Sequence, residues 1–517
     1  VTGAGSGDID GVFFFSAIEN LIGGTGSNEL VFHGTSGNDT VVVAAGLVTI
    51  NGVSTGYGQF DSVTVNTLCG LDTITVDPAL TDFPAQVKIE AGDDDDVISV
   101  NLAAGAATKI AINGGAPSAS DTVIVNGTPG ADVLAINGLQ LTSGNTLIGL
   151  TAVENLTVHA GAGADAVTLT GSTASASVQI FGQADDDRIA VDYPVSTASL
   201  SVSGGGDAGD ALSVTLTGAG EAVALTGSAV QVAAAVTTQY SGFALLTLDS
   251  AAGADAVTVD HTHPGTTELM TGLGADTLTI VQTAGVLSAD TGDDGDTVNV
   301  QAIGADTTID LGGGADNANV SSTAPGPGGV LTGIAAALFL EGGEGVDALH
   351  VDASGDLGGL TGRMSVARLE GLGMSAAGMG YSAFESLGLA LGSGADDFTV
   401  AGTHSGTTQV STNGEADHVL VTEVDGATTV NTGAGADTVD VEVKAADSSD
   451  PSSIVGLLTV NGGSESDTLD VYSGSILDET GNLTSTTITG LGMGAGIVYA
   501  DIQELNVNLG SGGDTFT

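Results

Sequence analysis

The sequence predicts an all-β fold, a parallel β-helix or β-solenoid with about 20–24 residues per turn. Two observations indicate it: a short Gly-Asp motif recurs at nearly constant intervals, and each copy is followed by alternating apolar and polar residues. Alternation with period two is typical of a short strand, and a tight Gly-Asp turn before it marks a corner. We expect the corners of successive turns to stack on one edge.

The motif is clearest in the middle of the chain. Residues 272–280 (GLGADTLTI) are followed by 292–300 (GDDGDTVNV) and 312–320 (GGGADNANV). The first and third have the form G-x-G-x-D, the second has Asp294 for the second Gly, and all three have apolar residues two and four after the last Asp of the motif. Several intervals between motif Asp residues are 20 or 21, whereas independent sandwich domains would not repeat one corner so regularly. Anchored on this Asp, the motif occurs at Asp39, Asp72, Asp96, Asp121, Asp132, Asp165, Asp187, Asp210, Asp255, Asp276, Asp296, Asp316, Asp347, Asp396, Asp417, Asp437, Asp467 and Asp514.

A second marker recurs at longer spacing. An aromatic residue or Leu stands three before an apolar residue, which stands three before a Leu or Val. In the last five copies, the next motif Asp follows the middle position at a constant distance. We interpret the marker as a plug that fills the solenoid interior. Its copies are Phe15-Ile18-Leu21, Tyr57-Phe60-Val63, Leu150-Val153-Leu156, Tyr240-Phe243-Leu246, Tyr381-Phe384-Leu387 and Tyr499-Ile502-Leu505.

The repeats predict one continuous solenoid over residues 1–517, as a piece of a longer repeat protein. The least regular stretches, 322–334 and 445–456, are expected to be projecting loops. The markers divide the chain into approximate supermodules 15–56, 57–149, 150–239, 240–380, 381–498 and a partial 499–517.

The charge balance excludes several classes of function. The chain has 63 acidic and only 6 basic residues, for a net charge of −57, and 82 of its 517 residues are Gly. Such a chain cannot hold a nucleic-acid backbone electrostatically and is repelled by anionic lipid. No apolar run approaches the ~18 residues of a membrane helix, so we expect no membrane insertion in this segment. A single Cys69 excludes an internal disulfide framework.

The motif resembles a known family. Residues 342–350 (GGEGVDALH) match the nonapeptide G-G-x-G-x-D-x-apolar-x of the haemolysin-type (RTX) calcium-binding repeats, and 23–31 (GGTGSNELV) differ only in having Asn28 for the Asp. The resemblance implies Ca²⁺ bound between successive turns by Asp carboxylates and loop carbonyls, in a secreted bacterial protein. RTX nonapeptides run in tandem, whereas here the motif occurs about once per turn, so one acidic edge is expected.

Electrostatics leads to the same cation independently of the family. Stacked turns lie about 4.8 Å apart, so neighbouring corner carboxylates repel by about 1 kcal/mol in water and about 3 kcal/mol at an effective dielectric near 20. Ca²⁺ suits hard oxygen ligands on flexible Gly corners, although each Asp could instead only cap backbone N–H groups of its turn. The candidate calcium ligands are Asp72, Asp96, Asp165, Asp187, Asp210, Asp255, Asp276, Asp296, Asp316, Asp347, Asp396, Asp417, Asp437 and Asp467.

Catalysis is not expected. A polysaccharide-cleaving β-helix needs acid, base and cation on one face, but the six Lys and Arg residues are scattered along the chain. His263 and His404 occupy equivalent positions in two copies of the repeat, which favours a structural role over a ligand role.

The resulting prediction is a structural module of a large bacterial cell-surface protein, extracellular and stiffened by calcium. It would serve in an adhesin stalk, surface layer, sheath or filament, with self-association, neighbouring surface proteins or polysaccharide as partners. The alternatives are a calcium-dependent secretion or folding module of a larger toxin or enzyme, and a β-helical carbohydrate-active enzyme.

Overall fold

A computed structural model describes residues 20–116, 120–172, 176–233, 235–444, 453–474 and 478–517. These residues form 51 strands and no helix. The chain divides into two compact units, the first formed by Val1–Ala190 with Val195–Asp207 and the second by Val191–Pro194 with Ala208–Thr517. The Phe15 and Ile18 positions of the first marker and residues 445–452 of the second predicted loop lie outside the described residues.

The first unit contains two sheets, A1 and B1, between which the chain alternates. Sheet A1 consists of β1 (Asn20–Ile22), β3 (Thr40–Ala44), β4 (Leu47–Ile50), β5 (Val53–Gly58), β7 (Thr73–Val76), β9 (Val97–Asn101), β11 (Thr122–Asn126), β15 (Asn155–Ala162), β17 (Ser177–Ala184) and β19 (Ser199–Ser203). Sheet B1 consists of β2 (Glu29–His33), β6 (Ser62–Asn66), β8 (Gln86–Gly92), β10 (Lys109–Gly115), β12 (Val133–Asn137), β13 (Gln140–Ser143), β14 (Thr146–Thr151), β16 (Ala166–Ser172) and β18 (Arg188–Ser196), the last with residues 191–194 in the second unit.

The second unit repeats the plan with sheets A2 and B2 and a small two-stranded sheet of β31 (Gly313–Gly314) and β34 (Glu344–Gly345). Sheet A2 consists of β21 (Ala222–Thr226), β22 (Ala229–Val232), β23 (Thr238–Ser241), β25 (Ala256–Val259), β27 (Thr277–Ile280), β29 (Thr297–Val300), β32 (Asn317–Val320), β35 (Ala348–Asp352), β39 (Ser386–Ala390), β41 (Thr407–Ser411), β43 (Ala427–Ala434), β45 (Leu458–Ser464), β47 (Thr480–Leu483), β48 (Thr487–Gly490), β49 (Ile497–Ala500) and β51 (Thr515–Phe516). Sheet B2 consists of β20 (Ala211–Thr215), β24 (Leu245–Asp249), β26 (Thr266–Met270), β28 (Leu287–Asp290), β30 (Thr307–Asp310), β33 (Leu338–Glu341), β36 (Thr361–Ser365), β37 (Arg368–Gly371), β38 (Met379–Ser382), β40 (Asp397–Val400), β42 (His418–Val421), β44 (Thr438–Val443), β46 (Thr468–Ser473) and β50 (Glu504–Asn508).

Parallel pairing in register confirms the predicted β-solenoid. In sheet A2, Thr277 pairs with Ala256 on one side and with Thr297 on the other, so one turn takes about 20 residues. In sheet A1, Thr73 pairs with Val97, which makes a slightly longer turn. Residues 322–334 connect β32 to β33 without a strand, which confirms the first predicted loop.

The core lies between the two sheets of each unit. Strands alternate buried and exposed residues, as the period-two pattern predicts, so that Val257, Leu278 and Val298 stack inward in consecutive turns at 1% exposure or less. The aliphatic side chains are small because the space between facing sheets is narrow. Stacks of identical or similar apolar side chains bury the faces that each short strand could not bury alone.

Three-stranded antiparallel meanders, which the repeat pattern did not predict, interrupt the parallel stacking. They are β3–β5, β12–β14, β21–β23, β36–β38 and β47–β49. The marker aromatics lie on the third strand of their meanders and are buried, which confirms the interior plug. The hydroxyl of Tyr381 also donates to the carbonyl of Ser365, at the end of the first strand, over 2.6 Å. Tyr57, Tyr240 and Tyr499 make the equivalent bond in their own meanders.

The acidic corners lie on two edges of each unit rather than on the single edge that the sequence predicted. In the first unit, Asp72 and Asp96 precede strands of sheet A1, whereas Asp165 precedes β16 of sheet B1. In the second unit, Asp276 precedes a strand of A2 and Asp417 a strand of B2. Each meander starts a new stack of corners, because its first strand follows a corner on the other side of the turn. The acidic corners of each unit therefore follow two edges.

Candidate metal-binding corners

Every predicted calcium ligand lies at a buried corner directly before a strand. The fourteen Asp side chains are at most 3% exposed, although carboxylates are rarely buried unless they are paired. The sequence interval of one turn places consecutive members in neighbouring turns. The corners are thus brought together as the repeat predicts, in short stacks along the solenoid.

Two hydrogen bonds link most corner Asp residues to the next turn, as the stack around Asp296 illustrates. The backbone N–H of Asp276 donates to Oδ1 of Asp296 over 2.8 Å, and the N–H of Asp296 donates to Oδ1 of Asp316 over 2.7 Å. The carbonyl of Asp276 accepts from the N–H of Thr297 over 2.9 Å. Oδ1 therefore caps the backbone of the neighbouring turn, whereas Oδ2 of Asp39 and of Asp132 also accepts an N–H of its own corner, from Thr35 and Thr128 respectively.

The same bond defines four acidic ladders. In the first unit, ladder 1 contains Asp39, Asp72, Asp96 and Asp121, and ladder 2 contains Asp132, Asp165 and Asp187. In the second unit, ladder 3 contains Glu221, Asp255, Asp276, Asp296, Asp316 and Asp347, and ladder 4 contains Asp396, Asp417, Asp437 and Asp467. Asp210 is buried at the corner before β20, and Oδ1 of Asp514 accepts the N–H of Glu479.

Three ladders end in a longer side chain that lies outside the Gly-Asp motif. The N–H of Asp121 donates to Oε2 of Glu154, that of Asp347 to Oε2 of Glu385, and that of Asp467 to Oε1 of Gln503. These residues share one sequence signal, since each directly follows the middle residue of a marker. The signal was present in the sequence, but its meaning depends on the meander that follows the ladder.

The second carboxylate oxygen has no hydrogen-bond partner among the described residues at most corners. These buried Oδ2 atoms belong to Asp72, Asp96, Asp165, Asp255, Asp276, Asp296, Asp316, Asp347, Asp396, Asp417, Asp437 and Asp467. A buried charged oxygen without a partner costs free energy unless a proton or a cation accompanies it. In the described ladder turns, Oδ2 is therefore an unused hydrogen-bond acceptor at nearly every corner.

Burial raises the pKa of several of these carboxyl groups. Desolvation raises the pKa of Asp96 and Asp296 to about 7, even though the hydrogen bond from the neighbouring N–H lowers it. Desolvation likewise raises the pKa of Asp165 and Asp417 to about 6, with the charges of adjacent ladder members adding to the shift. These four carboxyl groups therefore bind a proton more readily near neutral pH than an exposed Asp does.

Stacked glycines accompany the ladders for a steric reason. Gly272 and Gly292 have φ values of +90° and +92°, and a Cβ on Gly292 would lie 1.8 Å from the carbonyl oxygen of Gly272. Only glycine allows this approach of the two backbones. Asp94 and Glu415, which replace the second motif Gly, adopt left-handed φ values of 82° and 66°.

The donor set fits calcium in kind but not through side chains alone. Ladder oxygens are hard ligands, and Gly-rich corners supply further carbonyl oxygens nearby. Across the described ranges, however, no three His, Cys, Asp or Glu side chains converge on one point that could hold a metal. Ca²⁺ takes about 6–8 oxygen ligands, so carbonyls and water would have to complete each shell.

The histidine candidates have structural partners. Nδ1 of His263 accepts the N–H of Gly265 over 3.0 Å, and Nδ1 of His404 accepts that of Gly406 over 2.8 Å. The two residues thus perform the same loop-capping role, as their equivalent repeat positions indicate.

One further histidine, which no sequence motif indicated, lies between carboxylates. His418 lies 3.1 Å from Asp397 and 3.0 Å from Asp440. Hydrogen bonds, first to Asp440 and then to Asp397, raise its pKa. His418 is half-exposed, and its two carboxylate contacts lie outside the ladders.

Comparison with known proteins found no match, either among protein-family models or among curated proteins. The likeness to RTX repeats accordingly rests on the motif residues alone. No helix that could cross a membrane occurs within the described ranges.

Proposed function

We propose that this chain is a structural spacer, a solenoid module of a large secreted bacterial cell-surface protein whose corners bind calcium. One observation carries the proposal: each ladder turn buries a carboxylate with one oxygen bonded to the next turn, and at most corners the other oxygen has no partner among the described residues. A cation at the second oxygen would tie neighbouring turns together. It would also offset charge that only 6 basic residues oppose.

Ladder 3 offers the most favourable place for calcium. Asp255, Asp276, Asp296 and Asp316 follow one another at a nearly constant interval, without an inserted loop or meander. These side chains would supply anionic ligands, and adjacent Gly-rich backbone would supply carbonyl oxygens. The bound ion would act by neutralising charge and cross-linking turns, which is mechanical rather than catalytic chemistry.

A spacer role also fits the repetition of the sequence. Repeating one corner and one apolar pair per turn lengthens a solenoid by whole turns, because each turn contacts only its neighbours. We place the module outside the bacterial cell, where calcium is abundant, in an adhesin stalk, surface layer, sheath or filament. Self-association, neighbouring surface proteins or polysaccharide remain the proposed partners.

Thermal unfolding with and without calcium tests this function. We expect a chelator in low salt to lower the Tm by about 10 °C or more, and millimolar Ca²⁺ to restore it, since ligands that bind only the folded state stabilise it. Mg²⁺ at the same concentration serves as the ionic-strength control and should restore much less. An unchanged Tm in chelator would contradict calcium binding at the corners.

Two matched variants locate the effect. Asp296→Asn keeps the acceptor for the N–H of Asp276 but removes the buried charge, whereas Asp310→Asn makes the same change at an exposed carboxylate of the same turn. In chelator, Asp296→Asn should raise stability by about 1 kcal/mol, the order of a one-unit pKa shift, and should reduce the gain from Ca²⁺. Asp310→Asn should respond to calcium as the unmodified chain does.

A further inference from the structure

A pocket on the outward face of sheet A2 has no part in the corner ladders. The loop between β32 and β33 lies over the ends of neighbouring strands and encloses a space of about 380 Å³. Small-molecule sites usually measure about 300–1,000 Å³. The residues that matter for its chemistry are Asn319, Pro325, Pro327, His350, Gly388 and Gln409.

The loop that forms the pocket wall is held in place by the sheet. Oδ2 of Asp352 accepts the N–H of Gly329, and its Oδ1 accepts the N–H of Ser354, each over 3.0 Å. Nε2 of Gln301 donates to the carbonyl of Ala324 over 2.9 Å. Burial tends to raise the pKa of Asp352, but the hydrogen bonds outweigh burial and lower it, so the carboxylate stays charged. The pocket is therefore preformed, and the charge of Asp352 is used by the loop.

The pocket floor has a gap where one side chain is missing. Asn319, His350, Gly388 and Gln409 occupy paired positions on four neighbouring strands, about 4.8 Å apart. A Cβ on Gly388 would lie 3.3 Å from Nδ1 of His350, and the φ of Gly388 is outside the left-handed region. The backbone does not require glycine here, so its effect is to leave space between His350 and Gln409.

The polar groups at this gap are available to a ligand. The His350 ring is exposed and makes no hydrogen bond within the described residues. The amide of Gln409 is also exposed, and its Nε2 lies 3.5 Å from Oγ of Ser411. Nδ2 of Asn319 donates to Asn299, which leaves its own Oδ1 as an acceptor. Donors and acceptors are thus arranged along a line beside the rings of Pro325 and Pro327.

We infer that this pocket binds a neutral oligosaccharide segment, lying along the polar line of sheet A2. Amide and imidazole groups suit hydroxyls, which both donate and accept, and the proline rings suit the apolar C–H faces of a sugar. The side-chain spacing of about 4.8 Å is comparable to the length of one sugar residue.

Charge and topology argue against other ligands. Among the described residues, no Lys or Arg lines the pocket, and a net charge of −57 disfavours an anionic glycan. A peptide strand finds no free edge there, because both neighbours of β39 are paired with it.

Isothermal titration of the whole chain with defined sugars tests the site. The probes are neutral hexasaccharides of glucose, xylose and mannose, an anionic galacturonic acid hexasaccharide, and an uncharged Ser/Thr-rich hexapeptide. We expect one or more neutral hexasaccharides to bind with Kd on the order of 0.1–1 mM, equally in chelator and in calcium. Sugar binding that is independent of calcium would distinguish the pocket from the ladders.

Three variants assign binding to the pocket. Gly388→Leu fills the gap, and His350→Ala and Gln409→Ala each remove an exposed polar group; each should weaken binding at least tenfold with an unchanged Tm. Thr399→Leu places the same side chain on the outward face of sheet B2 and should bind as the unmodified chain does. Absence of neutral-sugar binding, binding of only the anionic glycan or the peptide, or equal binding by all variants would overturn the inference.

Discussion

Opposite corners of the same turns in the second unit satisfy similar backbone groups with different side chains. At the acidic corner, Oδ1 of Asp296 accepts the N–H of Asp276 from the adjacent turn. At the opposite corner, the hydroxyl of Thr262 accepts the N–H groups of Ala284 and Gly285 from the next turn, each over 2.9 Å. The side chains of Asp296 and Thr262 are at most 1% exposed.

Both side chains cap backbone N–H groups, but only Asp296 carries a charge. Thr262 also donates to the carbonyl of Gly285 over 3.1 Å, so its hydroxyl both donates and accepts hydrogen bonds without introducing charge. Thr283 repeats this one turn later, with the N–H of Gly304 at 3.1 Å. A neutral residue thus suffices to cap a buried corner. Asp296 adds a charge and a second oxygen, Oδ2, which has no partner among the described residues, and a role beyond capping would account for both.

The largest effect is expected from crowding the glycine stack beside the acidic corner. Gly292→Ala would place Cβ 1.8 Å from the carbonyl oxygen of Gly272 and should cost about 3 kcal/mol or more in unfolding free energy. Gly328→Ala is the matched control, because its φ is also positive, +82°, but nothing lies within 4 Å of the added Cβ. The control should cost about 1 kcal/mol. Equal losses in urea unfolding would show that the turns do not stack as described.

The next effect is a pH dependence confined to the acidic corners. Desolvation raises the folded-state pKa of Asp296 to about 7, above the value of about 3.9 for an unfolded chain. The stability that the bound proton confers is therefore complete below about pH 3.9 and is lost as pH rises through about 7. In chelator, we expect the Tm to fall between pH 5 and 8, less steeply in Asp296→Asn.

Salt and calcium provide the controls for this pH dependence. In 0.5 M KCl the repulsion among exposed carboxylates is largely screened, whereas that of buried groups is screened much less, so the fall in Tm should persist. Saturating Ca²⁺ should flatten it, because the cation binds the ionised form. A Tm that rises from pH 5 to 8 in chelator would contradict the raised pKa values.

The smallest effect is expected at the neutral corner. Thr283→Val keeps the shape but leaves the N–H of Ala305 without its acceptor, whereas the N–H of Gly304 keeps the carbonyl of Thr283 at 3.0 Å; the loss should be about 1 kcal/mol. Because no charge is removed, this loss should be the same at pH 5 and 8 and with or without calcium. A loss of stability that depends on calcium would contradict the distinction between the neutral and the acidic corners.

The sequence predicted those features that repeat in register. A constant spacing from Asp255 to Asp316 was enough to place the corners in neighbouring turns and the apolar pairs between the sheets. The meanders were missed although Asn51-Gly52, with φ values of 50° and 80°, is a typical hairpin turn. The turn signal was overlooked because the parallel repeat on both sides of it dominated the pattern.

The chemistry of the corners could be predicted only in part. The sequence indicated acidic ligands. It could not show that Oδ1 accepts an N–H of the neighbouring turn, whereas Oδ2 has no hydrogen-bond partner among the described residues at most corners. That division depends on the stacking of backbones, which places the N–H of Asp276 opposite Asp296. The ladder ends at Glu154, Glu385 and Gln503 were missed for the same reason, since their partners lie one turn away.

Counting the calcium ions bound by the chain tests the central claim most directly. Equilibrium dialysis at fixed free Ca²⁺ would compare the unmodified chain with a ladder 3 variant in which Asp255, Asp276, Asp296, Asp316 and Asp347 are all replaced by Asn, with circular dichroism to verify the fold and Asp296→Asn as a milder variant. We predict several bound ions for the unmodified chain and a clear loss in both variants, greater in the fivefold one. No bound calcium in the unmodified chain, or the same number in the folded variants, would contradict the account.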